Sequence, residues 1–225
     1  MTALFWLLCT IVVYMVSKLF YRSHSKVYLT PLIIAPFILI ALLICFKVPF
    51  AAYNEGAGLL SDLMEPAAIA LAVTLYKYFD EVKKNSLIIV VCVSFGAIIA
   101  ILTSVGLSQL FGLSEQIIDS LAPRSATTPI AVTISGRIGG LPAITAAATI
   151  ITGIMSMIIG PYVVKWFHIQ SPLARGVLFG TSSHSSGVRK AFEYDDMSGA
   201  VAAIAMMVTA FITIGAAPWL VQWLQ

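Results

Sequence analysis

Apolar residues run along this chain in blocks too long for strands and too continuous for half-buried helices. Four blocks, residues 2–20, 86–107, 143–167 and 197–221, approach the ~20 residues that a bilayer requires of a crossing helix. A fifth block, 30–46, is shorter but uniformly apolar, and its Pro31 falls in the first turn, where proline is tolerated. A sixth, 58–76, is interrupted near its start by Asp62 and by Glu65-Pro66. Two further segments break before they could span comfortably: "SATTPIAVTISGRIGGLP", 125–142, and "PLARGVLFGTSSHSSGVRKA", 172–191. The pattern predicts an all-α, multi-pass membrane protein of about six full spans plus two broken or re-entrant helices. It reads as a single integral membrane domain, with N-terminal helices over 1–57 and a core over 58–225 that holds both breaks.

Composition agrees. Apolar residues make up 60% of the chain and charged ones 10%, against about 25% charged in soluble domains. Cys9, Cys45 and Cys92 each lie inside an apolar run, with neither disulfide nor metal-ligand spacing, so they read as packing residues. No basic nucleic-acid-binding face is visible. The opening MTALFWLL lacks the basic flank of a signal peptide, so its run is kept as a span.

Charge placement sharpens the topology. With the N-terminus outside, six crossings and both broken segments dipping in and returning, ten of the thirteen lysines and arginines fall on the cytoplasmic side. Only Lys47, Arg124 and Arg137 fall outside, and the C-terminus is also outside. Letting 125–136 cross fully destroys the bias; letting both broken segments cross restores it, so that variant stays open. In the re-entrant version, one broken segment enters from outside and the other from inside. Each precedes a span of about 25 residues. That is the pattern of an inverted repeat whose broken helices meet near the midplane.

The breaks carry the candidate chemistry. Ser125, Thr127 and Thr128 before Pro129 form a helix start, with hydroxyl caps and then proline at the first helical position. Such a start aims free N–H groups and a partial positive charge at whatever precedes it, which suits an anion. Thr181, Ser183, His184 and Ser185 sit at the second break. Hydroxyls, backbone N–H groups and one imidazole could hold a small carboxylate and the proton that travels with it. Glu65 is either a second coupling carboxylate or a capped helix start. Arg124, Arg137, Arg175 and Arg189 are topology anchors, with at least one expected within reach of an anion. The bland alternative is that these hydroxyls bond their own helix carbonyls. Ala148, Thr152, Ser156 and Gly160, four residues apart, predict a small-residue stripe for close helix packing. No phosphate loop, zinc motif, nucleophile elbow or cofactor motif is present. Ser183 beside His184 does not make a hydrolase, because adjacent helical residues do not face each other.

Three stretches, "EPAAIALAVTLYK" (65–77), "SATTPIAVTISGRIGGLPAITAAATIITGIMSMIIGP" (125–161) and "LARGVLFGTSSHSSGVRKAFE" (173–193), resemble the LrgB/CidB family of bacterial membrane proteins. The resemblance extends from about residue 58 to the C-terminus. The T-T-P-I-A and G-G-L-P elements are its clearest part. Two departures stand out: Ser185-Ser186-Gly187-Val188-Arg189 after the histidine, and Thr74 where the family pattern has proline. The resemblance implies a bacterial cytoplasmic-membrane protein that is not an enzyme and carries no cofactor. It implies one of two roles. One is a holin- or antiholin-like regulator of murein hydrolase activity and lysis, acting by oligomeric pore formation with a small CidA- or LrgA-like partner. The other is transport of small monocarboxylates, as for the related plastid glycolate/glycerate translocators and bacterial pyruvate systems. Two opposed breaks lined with hydroxyls and a histidine favour transport. A homodimer is the default assembly.

Overall fold

The computed structural model describes residues 2–24, 29–63 and 76–224, and all regular structure among them is helical. The chain forms two compact units, Met1–Ala72 and Val73–Gln225. The first contains α1 (Thr2–His24), α2 (Pro31–Cys45) and α3 (Phe50–Asp62). Within it, Trp6 is buried and Tyr53 of α3 meets it edge-on, with ring centroids 5.8 Å apart. The Thr10 hydroxyl donates to the Tyr53 hydroxyl at 3.2 Å. α3 is a finding the hydrophobic blocks did not predict: it begins at Phe50, whereas the sixth block begins at 58. The rest of that block, with Glu65, lies almost wholly outside the described residues.

The second unit contains α4 (Phe79–Lys84), α5 (Ser86–Leu110), α6 (Glu115–Leu121), α7 (Thr128–Ile138), α8 (Pro142–Trp166), α9 (Pro172–Phe192) and α10 (Asp196–Leu224). Among the described residues, four helices are long and apolar enough to cross a membrane: α1, α5, α8 and α10. These correspond to the four strongest blocks in the sequence. α10 supplies much of the core, because its fully buried run Ala200, Val201, Ala202 and Ala203 is small enough for close approach. Val201 and Ala205 pack with Ile89 and Val93 of α5, and Ala217 and Val221 with Ile101 and Val105 further along. α5 and α10 therefore run parallel. Phe95, Phe211, Trp219 and Trp223 point outward, as lipid-facing residues should.

Both broken segments turn back on themselves. α7 has 11 residues, roughly 16 Å at 1.5 Å per residue, about half the thickness of the hydrocarbon core. It starts beside Thr149 of α8 and ends at Gly139, whose φ of +100° only glycine adopts without strain. Pro142 then starts α8. The Leu141 N–H donates to Ser120 Oγ at 2.7 Å, which pins the two ends of the segment together at the Pro142 end of α8. α9 breaks at His184, whose φ of 43° and ψ of −136° are not helical. Its second half folds back along the first: a side chain at Gly187 would overlap the Phe179 carbonyl. The base is closed by Ser198 Oγ donating to the Pro172 carbonyl at 3.2 Å and by an Arg175–Asp195 ion pair at 3.7 Å. Twenty-one residues of straight helix would place these ends about 30 Å apart; instead they touch. α9 is thus a re-entrant hairpin with His184 at its tip, and the variant in which both segments cross is excluded.

Candidate functional site

The two tips meet on one helix. Thr128 Oγ1, at the start of α7, lies 3.1 Å from Thr149 Oγ1 of α8. His184 Nε2, at the break of α9, lies 3.0 Å from the Thr149 carbonyl oxygen. Since a carbonyl oxygen only accepts, Nε2 is the donor in this arrangement. The approach depends on Gly153, one turn further along α8. A Cβ there would lie 2.7 Å from Ser186 Oγ and 3.0 Å from His184 Cε1. Segments from opposite ends of α8 therefore share one residue as their contact point.

Hydroxyls extend this contact along α8. Thr145 Oγ1 donates to Ser135 Oγ of α7 at 2.7 Å. Arg124 Nη1 donates to Thr152 Oγ1 at 3.2 Å. Ser156 Oγ bonds Ser182 Oγ of α9 at 3.1 Å, and also Ser183 Oγ. Positions 145, 149, 152 and 156 advance by four, three and four residues, so they line one face of a helix. Thr145, Thr149 and Ser156 reach polar groups of the broken segments, and Thr152 reaches Arg124, the residue before the first of them. The result is a ladder of hydroxyls inside apolar surroundings, a costly placement unless each group finds a partner.

The structure distributes the sequence-based candidates unevenly. Thr128, Ser183 and His184 sit on the ladder. Ser125 is buried and its hydroxyl has no hydrogen-bond partner among the described residues. Thr127 is the N-cap by its backbone, but its side chain makes no capping bond, and Pro129 occupies the second helical position rather than the first. Pro129 instead lines a separate groove with Arg137, Ile214 and Pro218. Thr181 turns away towards α5, where its methyl group rests on Gly96, and its buried hydroxyl is also unpartnered. Ser185 is exposed and reaches His184 Nδ1 only at 3.4 Å. Arg175 is occupied at the base of α9, where it donates to the Ile169 carbonyl at 2.9 Å and stacks over Tyr194. Arg189 is exposed. Glu65 lies outside the described residues.

Two expectations need correcting. The helix-packing stripe of α8 is not 148, 152, 156 and 160. Its buried face is Thr145, Thr149, Gly153, Met157 and Gly160, and Thr152 and Ser156 bond across to Arg124 and Ser182 instead. Arg124 is no surface anchor: it reaches Thr152, ten residues into α8. The ladder was visible in "TAAATIITGIMS" as hydroxyls at helical spacing within an apolar span, but the four-residue small stripe overlaps it and masks it. Some hydroxyls do bond their own helix, among them Ser182 to the Leu178 carbonyl at 2.7 Å.

Opposed re-entrant segments meeting on a continuous helix define a multi-pass, all-α membrane protein with a polar centre. The chain belongs to the LrgB-like family, which matches residues 10–223. The Uncharacterized protein YwbG of Bacillus subtilis (strain 168) is 42% identical over 97% of both chains. The Antiholin-like protein LrgB of Bacillus cereus (strain B4264) is 33% identical over 97% of this chain and 95% of its own length. The protein of the same name in Bacillus anthracis (strain CDC 684 / NRRL 3495) has the same identity and coverage. No solved structure matches.

Proposed function

We propose that this chain serves an antiholin-like role in the bacterial cytoplasmic membrane, and that its molecular activity is passage of a small monocarboxylate such as pyruvate, glycolate or glycerate. The first half is supported by the name of relatives 33% identical over nearly the whole chain. The comparisons favour that half more than the second. The second half is carried by one observation: Thr128 and His184, on segments entering from opposite ends, converge on Thr149. A helix N-terminus presents a partial positive charge, and an imidazole can take up a proton, so the junction suits a carboxylate and its proton.

In this reading Ser125, Thr127, Thr128 and the first turn of α7 hold the carboxylate. Ser183, His184 and Ser185 complete the site from α9, and His184 or Glu65 carries a coupled proton. Both chain termini lie outside. A small CidA- or LrgA-like membrane protein and a second copy of the chain are the expected partners.

Uptake of labelled pyruvate or glycolate by proteoliposomes, with and without the small partner, tests the activity. Saturable uptake is expected, and its absence under every gradient would sink the transport reading. Thr128→Val and His184→Ala are each expected to lower uptake without lowering membrane abundance. Leakage of a dye too large for a carboxylate path, without saturable uptake, would leave only the pore-forming role in lysis.

A further inference from the structure

We infer that Arg124 is the counter-charge of the carried anion, and that the groove running from it along α8 to Ser182 binds a 2-hydroxy or 2-oxo monocarboxylate. The inference rests on the anion reading above and adds to it a fixed positive charge in the groove beside the junction. Arg124 lies in the turn before α7, and its side chain reaches Thr152, ten residues along α8 from Pro142, roughly 15 Å at 1.5 Å per residue. That is near the middle of a 25-residue helix. A guanidinium does not lose its proton there, and an uncompensated charge at such depth is costly.

Its partners are neutral. Nε–H donates to Ser104 Oγ at 3.0 Å, and Nη1–H to Thr152 Oγ1 at 3.2 Å. Ser104 Oγ is itself fixed, donating to the Leu121 carbonyl at 2.9 Å. None of the ion pairs among the described residues includes Arg124. The side chain has five N–H donors, so three lack a partner among the described residues. It borders a groove of about 320 Å³ whose other polar residues are Thr152, Ser156 and Ser182. The next residue, Ser125, is 5% exposed and its hydroxyl is unpartnered. The first turn of α7, three residues on, carries no side-chain cap. Over 124–128 the chain thus gathers a cation, an orphaned hydroxyl and an uncapped helix start.

One guanidinium matches one negative charge. Its planar fork suits a carboxylate better than a spherical halide. The hydroxyls of Ser156 and Ser182 at the far end can bond a 2-hydroxy or 2-oxo group, and the apolar walls accept a short tail.

The test uses the purified full-length protein and two readouts: thermal stabilisation by pyruvate against chloride, and proteoliposome uptake. Saturable stabilisation of the wild type by pyruvate is expected at concentrations where chloride has no effect. Arg124→Gln should raise the half-saturating concentration at least about tenfold, the loss expected for a charge-assisted bidentate pair. Arg124→Lys keeps the charge without the fork, and should lose the preference for carboxylate over chloride. If the glutamine variant does not fold, the lysine variant decides. Wild-type response in the glutamine variant, unchanged preference in the lysine variant, or no response of the wild type to pyruvate each overturns the inference. If pyruvate stabilises the wild type and not Arg124→Gln, yet neither transports, the site stands and the transport reading fails. Uptake that Arg124→Gln retains in full would do the opposite.

Discussion

Gly153→Ala isolates the contact between the second re-entrant tip and α8. The added methyl would sit 2.7 Å from Ser186 Oγ, 3.0 Å from His184 Cε1 and 3.2 Å from His184 Nε2. All three are closer than ordinary packing, and all belong to the turn held by the non-helical His184. The Ser186 hydroxyl must then shift, and the ring must give by a few tenths of an ångström, which strains its 3.0 Å contact with the Thr149 carbonyl. Overpacking of this kind costs about 1–3 kcal/mol, and a lost buried hydrogen bond about 0.5–1.5 kcal/mol. Against this, alanine favours the helix by about 0.8–1 kcal/mol over glycine. The net expectation is a destabilisation of about 0.5–4 kcal/mol. At roughly 2–4 °C per kcal/mol for a chain of this size, that is a fall in Tm of about 1–15 °C in detergent. Gly215→Ala is the matched control, since a Cβ there meets nothing within 4 Å; it should leave Tm unchanged or slightly raised. Equal Tm values for the two variants would refute the docking of His184 on α8.

Other expectations follow from the same geometry. Gly187→Ala places a methyl group on the Phe179 carbonyl and within 2.7 Å of Ser183 Cβ; backbone cannot yield there, so little monodisperse protein should be recovered by size-exclusion chromatography. Thr149→Val removes the hydroxyl that meets Thr128 but keeps the carbonyl that meets His184. It should lower uptake several-fold, in line with loss of one buried hydrogen bond, at unchanged abundance on immunoblots. Reporter fusions that are active only outside the cytoplasm should be active at the C-terminus and inactive when inserted after Phe167; the reverse would overturn the assigned orientation.

Much of this architecture is readable in the sequence because its signals are local. Thr127-Thr128-Pro129 starts α7, Gly139 stops it, and "GTSSHSSG" marks a break whose centre is His184. The charge count rejects a crossing by the first broken segment alone, and the stitched bases of both segments decide for re-entry over a double crossing. What the sequence hides is pairing at a distance. Nothing around Thr149 announces that two tips share it, because both of its contacts come from residues 21 and 35 positions away. The depth that Arg124 reaches is hidden for a related reason: a positive-inside count assigns sides from chain order, and a turn at membrane depth has the same place in that order as a surface loop. α3 escaped because a helix with Asn54 and Glu55 and only two buried residues leaves no clear apolar block.

The backbone at His184 asks for glycine. A φ of 43° with a ψ of −136° is a conformation in which a side chain is a burden, at a cost on the order of 1–3 kcal/mol. Glycine stands three residues later and four residues earlier, so the segment does not lack it. His184→Gly should therefore relieve that strain while giving up the hydrogen bond to the Thr149 carbonyl, and leave a tip that is chemically silent. Stability would change little where activity is lost, and that divergence is the signature of a residue whose ring serves the site rather than the fold.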